Sequence, residues 1–153
     1  MKFDAIDRNI LTHLQQNARI PNTKLAELVG LSPAPCLRRL RALEEAGIIR
    51  EYVALLDPRS VNREVMVFIE IRLDLQLKDR LDILEKAIRQ WPEVLECYLM
   101  TGDADYLLRV AVPDVAAYER FLRDKLTRLK SVASIKSSFA LQQVKHTTAL
   151  PLE

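Results

Sequence analysis

Between Asn22 and Gly47 the chain reads NTKLAELVGLSPAPCLRRLRALEEAG, two short helical patterns broken by Gly30-Leu31-Ser32. In the first, Leu25, Leu28 and Val29 recur at i, i+3 and i+4 and should share one buried face. Ala26 is small enough to let a second helix cross closely. Gly30 suits the left-handed conformation that ends a helix, and Leu31 is placed to plug the gap between the helices. Ser32 is a favourable N-cap and Pro33 a favourable first helical residue. Pro35 still lies in the first turn, where no intrahelical bond is lost. The second helix should run to Ala46 and stop at Gly47.

Cys36, Leu37, Leu40 and Leu43 form the apolar stripe of that second helix. Arg38, Arg39 and Arg41 flank it, with no acid before Glu44. This is the layout of a helix-turn-helix, whose second helix enters the DNA major groove. Arginine binds guanine edges bidentately and neutralises phosphates; spacing alone leaves open which of the three reads bases. Ala34 and Pro35 are small enough to touch thymine methyls, and the N–H groups near Ser32 can receive a phosphate. The plainer alternative is a surface helix with a solvated basic face. A helix from Asp4 to about Gln16, with Ile6, Ile10, Leu11 and Leu14 at helical spacing, precedes the pair. Ile48 to Leu56 reads as a short strand pair. Three helices and a strand wing make a winged helix-turn-helix over residues 1–56.

The 153 residues are 49% hydrophobic and 29% charged, enough for one large domain or two small ones. No apolar run approaches the roughly 18 residues of a membrane span. Met1-Lys2-Phe3-Asp4 leads straight into a charged amphipathic helix without a signal-peptide pattern, so the cytoplasm is expected. Net charge is +2, and residues 1–60 carry all of the excess, with nine Lys/Arg against seven Asp/Glu. DNA binding must therefore rest on local clustering. Cys36 and Cys97 have no partner at metal-ligand spacing and read as buried thiols; a sensing role for Cys36 is the minority alternative. No metal, cofactor or catalytic residue is expected, because no nucleophile–base pair, metal cluster or phosphate-binding glycine loop is present.

Residues 57–64, Asp57-Pro58-Arg59-Ser60-Val61-Asn62-Arg63-Glu64, read as a linker. Beyond it Val65, Val67, Ile69, Ile71 and Leu73 alternate as a strand with one buried face. A helical stripe follows from Lys78 to Gln90 (Leu81, Leu84, Ala87, Ile88), and Pro92 stops it. Val94–Thr101 reads as a buried strand, Gly102-Asp103 as a turn and Tyr106–Val112 as a third strand. Pro113-Asp114 starts a helix with Val115, Tyr118, Leu122, Leu126 and Leu129, and Val132–Lys145 is the last strand. The order βαββαβ implies an α+β, ferredoxin-like sandwich over residues 65–153 with both helices on one face. The other face, with Phe68, Tyr98 and Leu107, lacks cover within the chain, and a symmetric dimer would bury it.

The chain resembles the Lrp/AsnC (feast/famine) transcriptional regulators. The likeness is carried by Asp4-Ala5-Ile6-Asp7-Arg8-Asn9-Ile10-Leu11, by Leu31-Ser32-Pro33-Ala34-Pro35-Cys36-Leu37-Arg38-Arg39-Leu40, and by Ala46-Gly47-Ile48-Ile49-Arg50-Glu51-Tyr52. Thr101-Gly102-Asp103-Ala104-Asp105-Tyr106-Leu107-Leu108, Ser137-Ser138-Phe139 and the tail His146-Thr147-Thr148-Ala149-Leu150-Pro151 extend it over essentially the whole chain.

The resemblance implies a sequence-specific regulator of amino-acid metabolism or transport that binds double-stranded DNA. It implies a homodimer built through the C-terminal domain, often assembled to an octamer. It also implies a small effector, usually an amino acid, with leucine and methionine the first candidates. The family's effector loop maps onto Met100, Thr101, Gly102, Asp103, Asp105 and Tyr106. A glycine lets backbone N–H groups approach a carboxylate, and an aspartate can accept from an α-ammonium; the alternative is a tight hairpin turn whose aspartates cap backbone groups. Two departures stand out: Val61-Asn62-Arg63-Glu64 where the family often has a linker glycine, and Ala104 where a larger residue is common. The competing function is an architectural, DNA-wrapping nucleoid protein without effector response.

Overall fold

The computed structural model describes residues 4–74 and 78–153; Met1-Lys2-Phe3, expected to lead into the first helix, lies outside them. The chain forms two compact units, Met1–Leu55 with Val144–Glu153, and Leu56–Gln143. Expected as the end of the second domain, Val144–Glu153 instead belongs to the first. No helix among the described residues is long and apolar enough to cross a membrane.

The first unit contains α1 (Ala5–Gln16), α2 (Asn22–Leu28) and α3 (Pro33–Glu45). Asp4 caps α1: its carboxylate accepts from the Asp7 N–H at 2.9 Å while Asp7 accepts from the Asp4 N–H at 3.1 Å, a reciprocal capping box. Helices α2 and α3 end alike. Gly30 (φ +71°) and Gly47 (φ +68°) take the left-handed position. The Leu31 N–H then reaches the Ala26 carbonyl at 2.9 Å, and the Ile48 N–H that of Leu43 at 3.0 Å. These are Schellman ends, which satisfy carbonyls a helix otherwise leaves open.

Ile10, Leu11, Leu14, Leu25, Ala26, Cys36 and Leu43 form the buried core of this unit. Leu28, expected in the same face, is 47% exposed. The buried arc of α2 centres between Leu25 and Ala26, and at about 100° per residue Leu28 falls off its edge. The strand pair expected over Ile48–Leu56 is absent. Ile48 and Ile49 pack against the helical core, but Tyr52, Val53, Leu55 and Leu56 are exposed and form no strand. Among the described residues they pair with no strand.

The second unit is a sandwich of one sheet and two helices: β1 (Val65–Leu73), α4 (Lys78–Ile88), β2 (Val94–Leu99), β3 (Tyr106–Val112), α5 (Val115–Asp124) and β4 (Val132–Phe139), with a 3-10 turn at Leu126–Arg128. The strand order is β2-β3-β1-β4 and every neighbouring pair is antiparallel. Val67, Ile69, Ile71, Leu73, Leu108, Val110 and Val112 point to one face, where Leu84, Ile88, Tyr118, Phe121 and Leu126 cover them. Phe121, absent from the expected stripe, packs edge-on against Trp91 with ring centroids 5.6 Å apart.

Two strands differ from expectation. β2 ends at Leu99 and is an edge strand, with Leu95, Tyr98 and Leu99 half or more exposed. β4 ends at Phe139, after which Leu141 and Val144 lie almost fully in solvent; beyond the end of β1 no strand offers these residues hydrogen-bond partners.

The linker is an ordered turn. Asp57 accepts from the Ser60 hydroxyl at 2.6 Å and from the Arg59 and Ser60 N–H groups, and the Arg63 N–H bonds the Pro58 carbonyl at 2.7 Å. Asn62 closes the turn at φ +54°, which asparagine tolerates better than other L-residues with a side chain. Asn62→Gly keeps the turn free of strain and should shift stability by no more than about 0.4–1 kcal/mol, whereas Asn62→Val should cost about 1–2 kcal/mol, as read from urea unfolding.

Candidate nucleic-acid interface and ligand loop

Helix α3 is fixed on three sides. Its buried stripe, Cys36 and Leu43, enters the core shared with α1. Its start is tied to α2 by the Asn22 side-chain N–H₂, which donates to the Pro33 carbonyl at 2.9 Å. Its middle is held by Arg39, whose guanidinium lies 2.9 Å from both Asp4 and Asp7. Asp7 is itself buried and finds its hydrogen-bond partners in Arg39 and the Asp4 N–H.

The three arginines therefore divide. Arg39 faces α1 and is engaged; Arg38 and Arg41 are exposed and, among the described residues, make no ion pair or side-chain hydrogen bond. Ser32, Ala34 and Pro35 sit at the start of α3, the first two exposed and Pro35 half-buried. Ser32 occupies the N-cap position, but its hydroxyl makes no cap bond. The structure thus brings Ser32, Ala34, Pro35, Arg38 and Arg41 onto accessible parts of one helix and assigns Arg39 to its support. An aspartate pair one turn apart, at the start of α1, is the sequence signal for that partner.

Met100, Thr101, Gly102 and Asp103 form the exposed part of the β2–β3 turn, with Gly102 at φ +112°. Asp105 and Tyr106 face inward. The Asp105 carboxylate accepts from the Leu73 N–H at 2.7 Å, its N–H reaches the Ile71 carbonyl at 2.9 Å, and its carbonyl accepts from the Met100 N–H at 2.8 Å. Asp105 thus latches the turn to the end of β1. Tyr106 is buried and donates to Glu85 at 2.8 Å; burial, then the Glu85 bond, pushes its phenol well up.

At the other end of the sheet a depression of about 340 Å³ is lined by Arg63, Glu93, Phe121 and Lys125 among others. The Glu93–Lys125 ion pair at 2.7 Å forms part of its wall. Burial pushes the Cys36 thiol up, and burial followed by the Glu85 charge pushes Cys97 up to about 11, so neither has the thiolate character of a reactive site. Among the described residues no group of His, Cys, Asp and Glu side chains could hold a metal ion.

Known proteins match both units. Residues 66–150 match a family model described as the Lrp/AsnC ligand binding domain, and residues 3–50 one described as winged helix-turn-helix DNA-binding. The leucine-responsive regulatory protein of Escherichia coli K12 is 41% identical over 151 residues, covering 99% of this chain and 92% of that protein. Among solved structures, a Neisseria meningitidis transcriptional regulator in complex with L-methionine is 45% identical with a TM-score of 0.94, covering 98% of this chain and 97% of that one. An AsnC family regulator from Agrobacterium tumefaciens is 44% identical with a TM-score of 0.93, covering 97% of each chain.

The clamp around Arg39 is open to a pH test. The Asp7 N–H first, and then Arg39, hold the Asp4 carboxyl below its ordinary value. A carboxylate lowered on folding stabilises the native state above about pH 4 and loses that contribution as pH falls through the lowered value. Melting temperatures recorded from about pH 5 to pH 2 should therefore fall less steeply for Asp4→Asn than for wild type. At pH 7 Arg39→Met should lower the melting temperature, and Arg41→Met should leave it near that of wild type.

Proposed function

The chain belongs to the Lrp/AsnC family of DNA-binding transcription regulators, and on that premise we propose that Arg38 and Arg41 are its principal readers of DNA. The observation that carries this reading is the division of labour on α3. Arg39 is spent on Asp4 and Asp7, which leaves two exposed guanidinium groups on a helix whose orientation is fixed. A rigidly held helix delivers its side chains to a groove without first losing orientational freedom. Arg38 and Arg41 contact guanine edges or phosphates. Ser32, free of capping duty, donates to a phosphate, and Ala34 and Pro35 lie against the groove floor.

The second unit is a ligand-binding domain, and its proposed effector is an amino acid, as in the methionine complex of the Neisseria relative. The exposed N–H groups around Gly102 receive the carboxylate and Asp103 accepts from the ammonium. Asp105 and Tyr106 shape the turn from within. A second copy completes the assembly: Phe68 and Tyr98, 39% and 52% exposed on the face opposite the helices, pack against their symmetry equivalents in a two-fold dimer. Such dimers assemble further, to an octamer. The protein acts in the cytoplasm and performs no catalysis. The effector changes DNA affinity by favouring one assembly state over another.

Arg38→Ala and Arg41→Ala should each cost about 1–3 kcal/mol on a duplex selected by the wild-type protein, the base-reading one also relaxing sequence preference. Wild-type affinity in both variants would remove α3 from the interface. L-Methionine or L-leucine should raise the melting temperature by mass action, and Asp103→Asn should abolish that rise while leaving the ligand-free melting temperature unchanged.

A further inference from the structure

The last ten residues form a contact that neither DNA reading nor effector binding accounts for. Gln15, in the final turn of α1, donates to the Leu150 carbonyl at 3.1 Å and accepts from the Leu150 N–H at 2.6 Å. One side-chain amide thereby satisfies both polar groups of one backbone residue, as a neighbouring strand would. Leu152 packs against the helical core, and the Arg8 Nε donates to the Glu153 carbonyl at 2.9 Å. Thr147 accepts from the Ala149 N–H at 3.1 Å and shapes the approach.

Past Ala140, whose N–H still bonds the Met66 carbonyl at 2.9 Å, the described residues up to this contact show no such bracket. Leu141 and Val144 are 99% and 91% exposed. The tail therefore does not settle wherever apolar surface is available; it docks at one place. Arg8 and Gln15 are seven residues apart, two helical turns on one face of α1. The opposite end of the same helix carries Asp4 and Asp7, which hold Arg39 of α3. Helix α1 thus stands between the tail and the recognition helix.

We propose that residues 147–152 are a strap that fixes α1, and that Gln15 is a positioning residue for DNA recognition, acting through Asp4, Asp7 and Arg39 on the orientation of α3. With the strap released, α1 loses Leu152 and the Leu150 bracket, and the clamp on Arg39 loosens. The strap makes few contacts and opens on its own more readily than the core, so its occupancy is coupled to DNA affinity in both directions. This inference rests on α3 being the DNA-reading helix, which the Arg38 and Arg41 variants test separately.

Hydrogen exchange on the full-length protein, read by mass spectrometry over residues 141–153, reports the strap without reference to DNA. In wild type the Leu150 amide should exchange about tenfold slower than those of residues 141–144, and in Gln15→Met that difference should vanish. A duplex of about 30 base pairs, enriched from a random pool by the wild-type protein, should slow Leu150 further. Gln15→Met should bind that duplex about fivefold or more weakly at a temperature where circular dichroism shows it folded, and Gln15→Glu, which keeps the acceptor for the Leu150 N–H, should recover part of the loss. Should Gln15→Met unfold, Leu150→Pro, which removes the same N–H from an exposed residue, carries the same expectation for DNA affinity. Equal exchange at Leu150 and at residues 141–144 in wild type would overturn the strap. Loss of protection with wild-type DNA affinity would overturn the positioning role, and so would Leu150 exchange that DNA leaves unchanged.

Discussion

The guanidinium of Arg39, shared between Asp4 and Asp7, is the joint on which the geometry of the first unit rests. Apolar packing of Cys36 and Leu43 against α1 holds the helices together, but non-directional burial leaves rotation about the contact soft. Two charge-assisted bonds from one planar group to two carboxylates a helical turn apart fix that rotation. Asp7 is buried, so its carboxylate oxygens need partners within the fold, and Arg39 and the Asp4 N–H supply them. One of the arginines that the composition counts as positive charge is thus paired within the fold.

The second unit treats its chemistry similarly. In the β2–β3 turn, Asp105 binds backbone on β1 and Tyr106 binds Glu85 on α4. Both serve to hold the turn, so that Met100 to Asp103 project from it with Gly102 in a conformation closed to other residues. In each unit a polar residue beside the presented ones is turned inward as their support. Residues alike in sequence are thereby sorted into exposed members and members bonded within the fold.

The segment read from sequence as a linker also has local structure. It forms an Asp57-capped turn with Asn62 in the left-handed region. The tail brings the end of the chain back to its first helix. The DNA-binding unit is consequently assembled from both ends of the chain, and its stability draws on residues that follow the ligand-binding sheet.

Much of this was legible in the sequence because it depends on local rules. Gly30 and Gly47 mark helix ends, Pro33 a helix start, and the alternation Val67-Ile69-Ile71-Leu73 a strand with one buried face; each follows from the torsions and periodicity of a few neighbouring residues. The order of elements then leaves few topologies, and the sheet order β2-β3-β1-β4 is the one the βαββαβ pattern implies. Only the tertiary structure decided what required a distant partner: that Arg39 turns to Asp4 and Asp7, that Asp105 binds Leu73, and that Gln15 brackets Leu150. It also decided what lacked one, since among the described residues Tyr52 to Leu56 and residues 141–145 have strand-like composition but pair with no strand. A side chain's chemistry is set by its identity, but whether it is spent inside the fold or offered to a ligand is set by what the rest of the chain places within hydrogen-bonding distance.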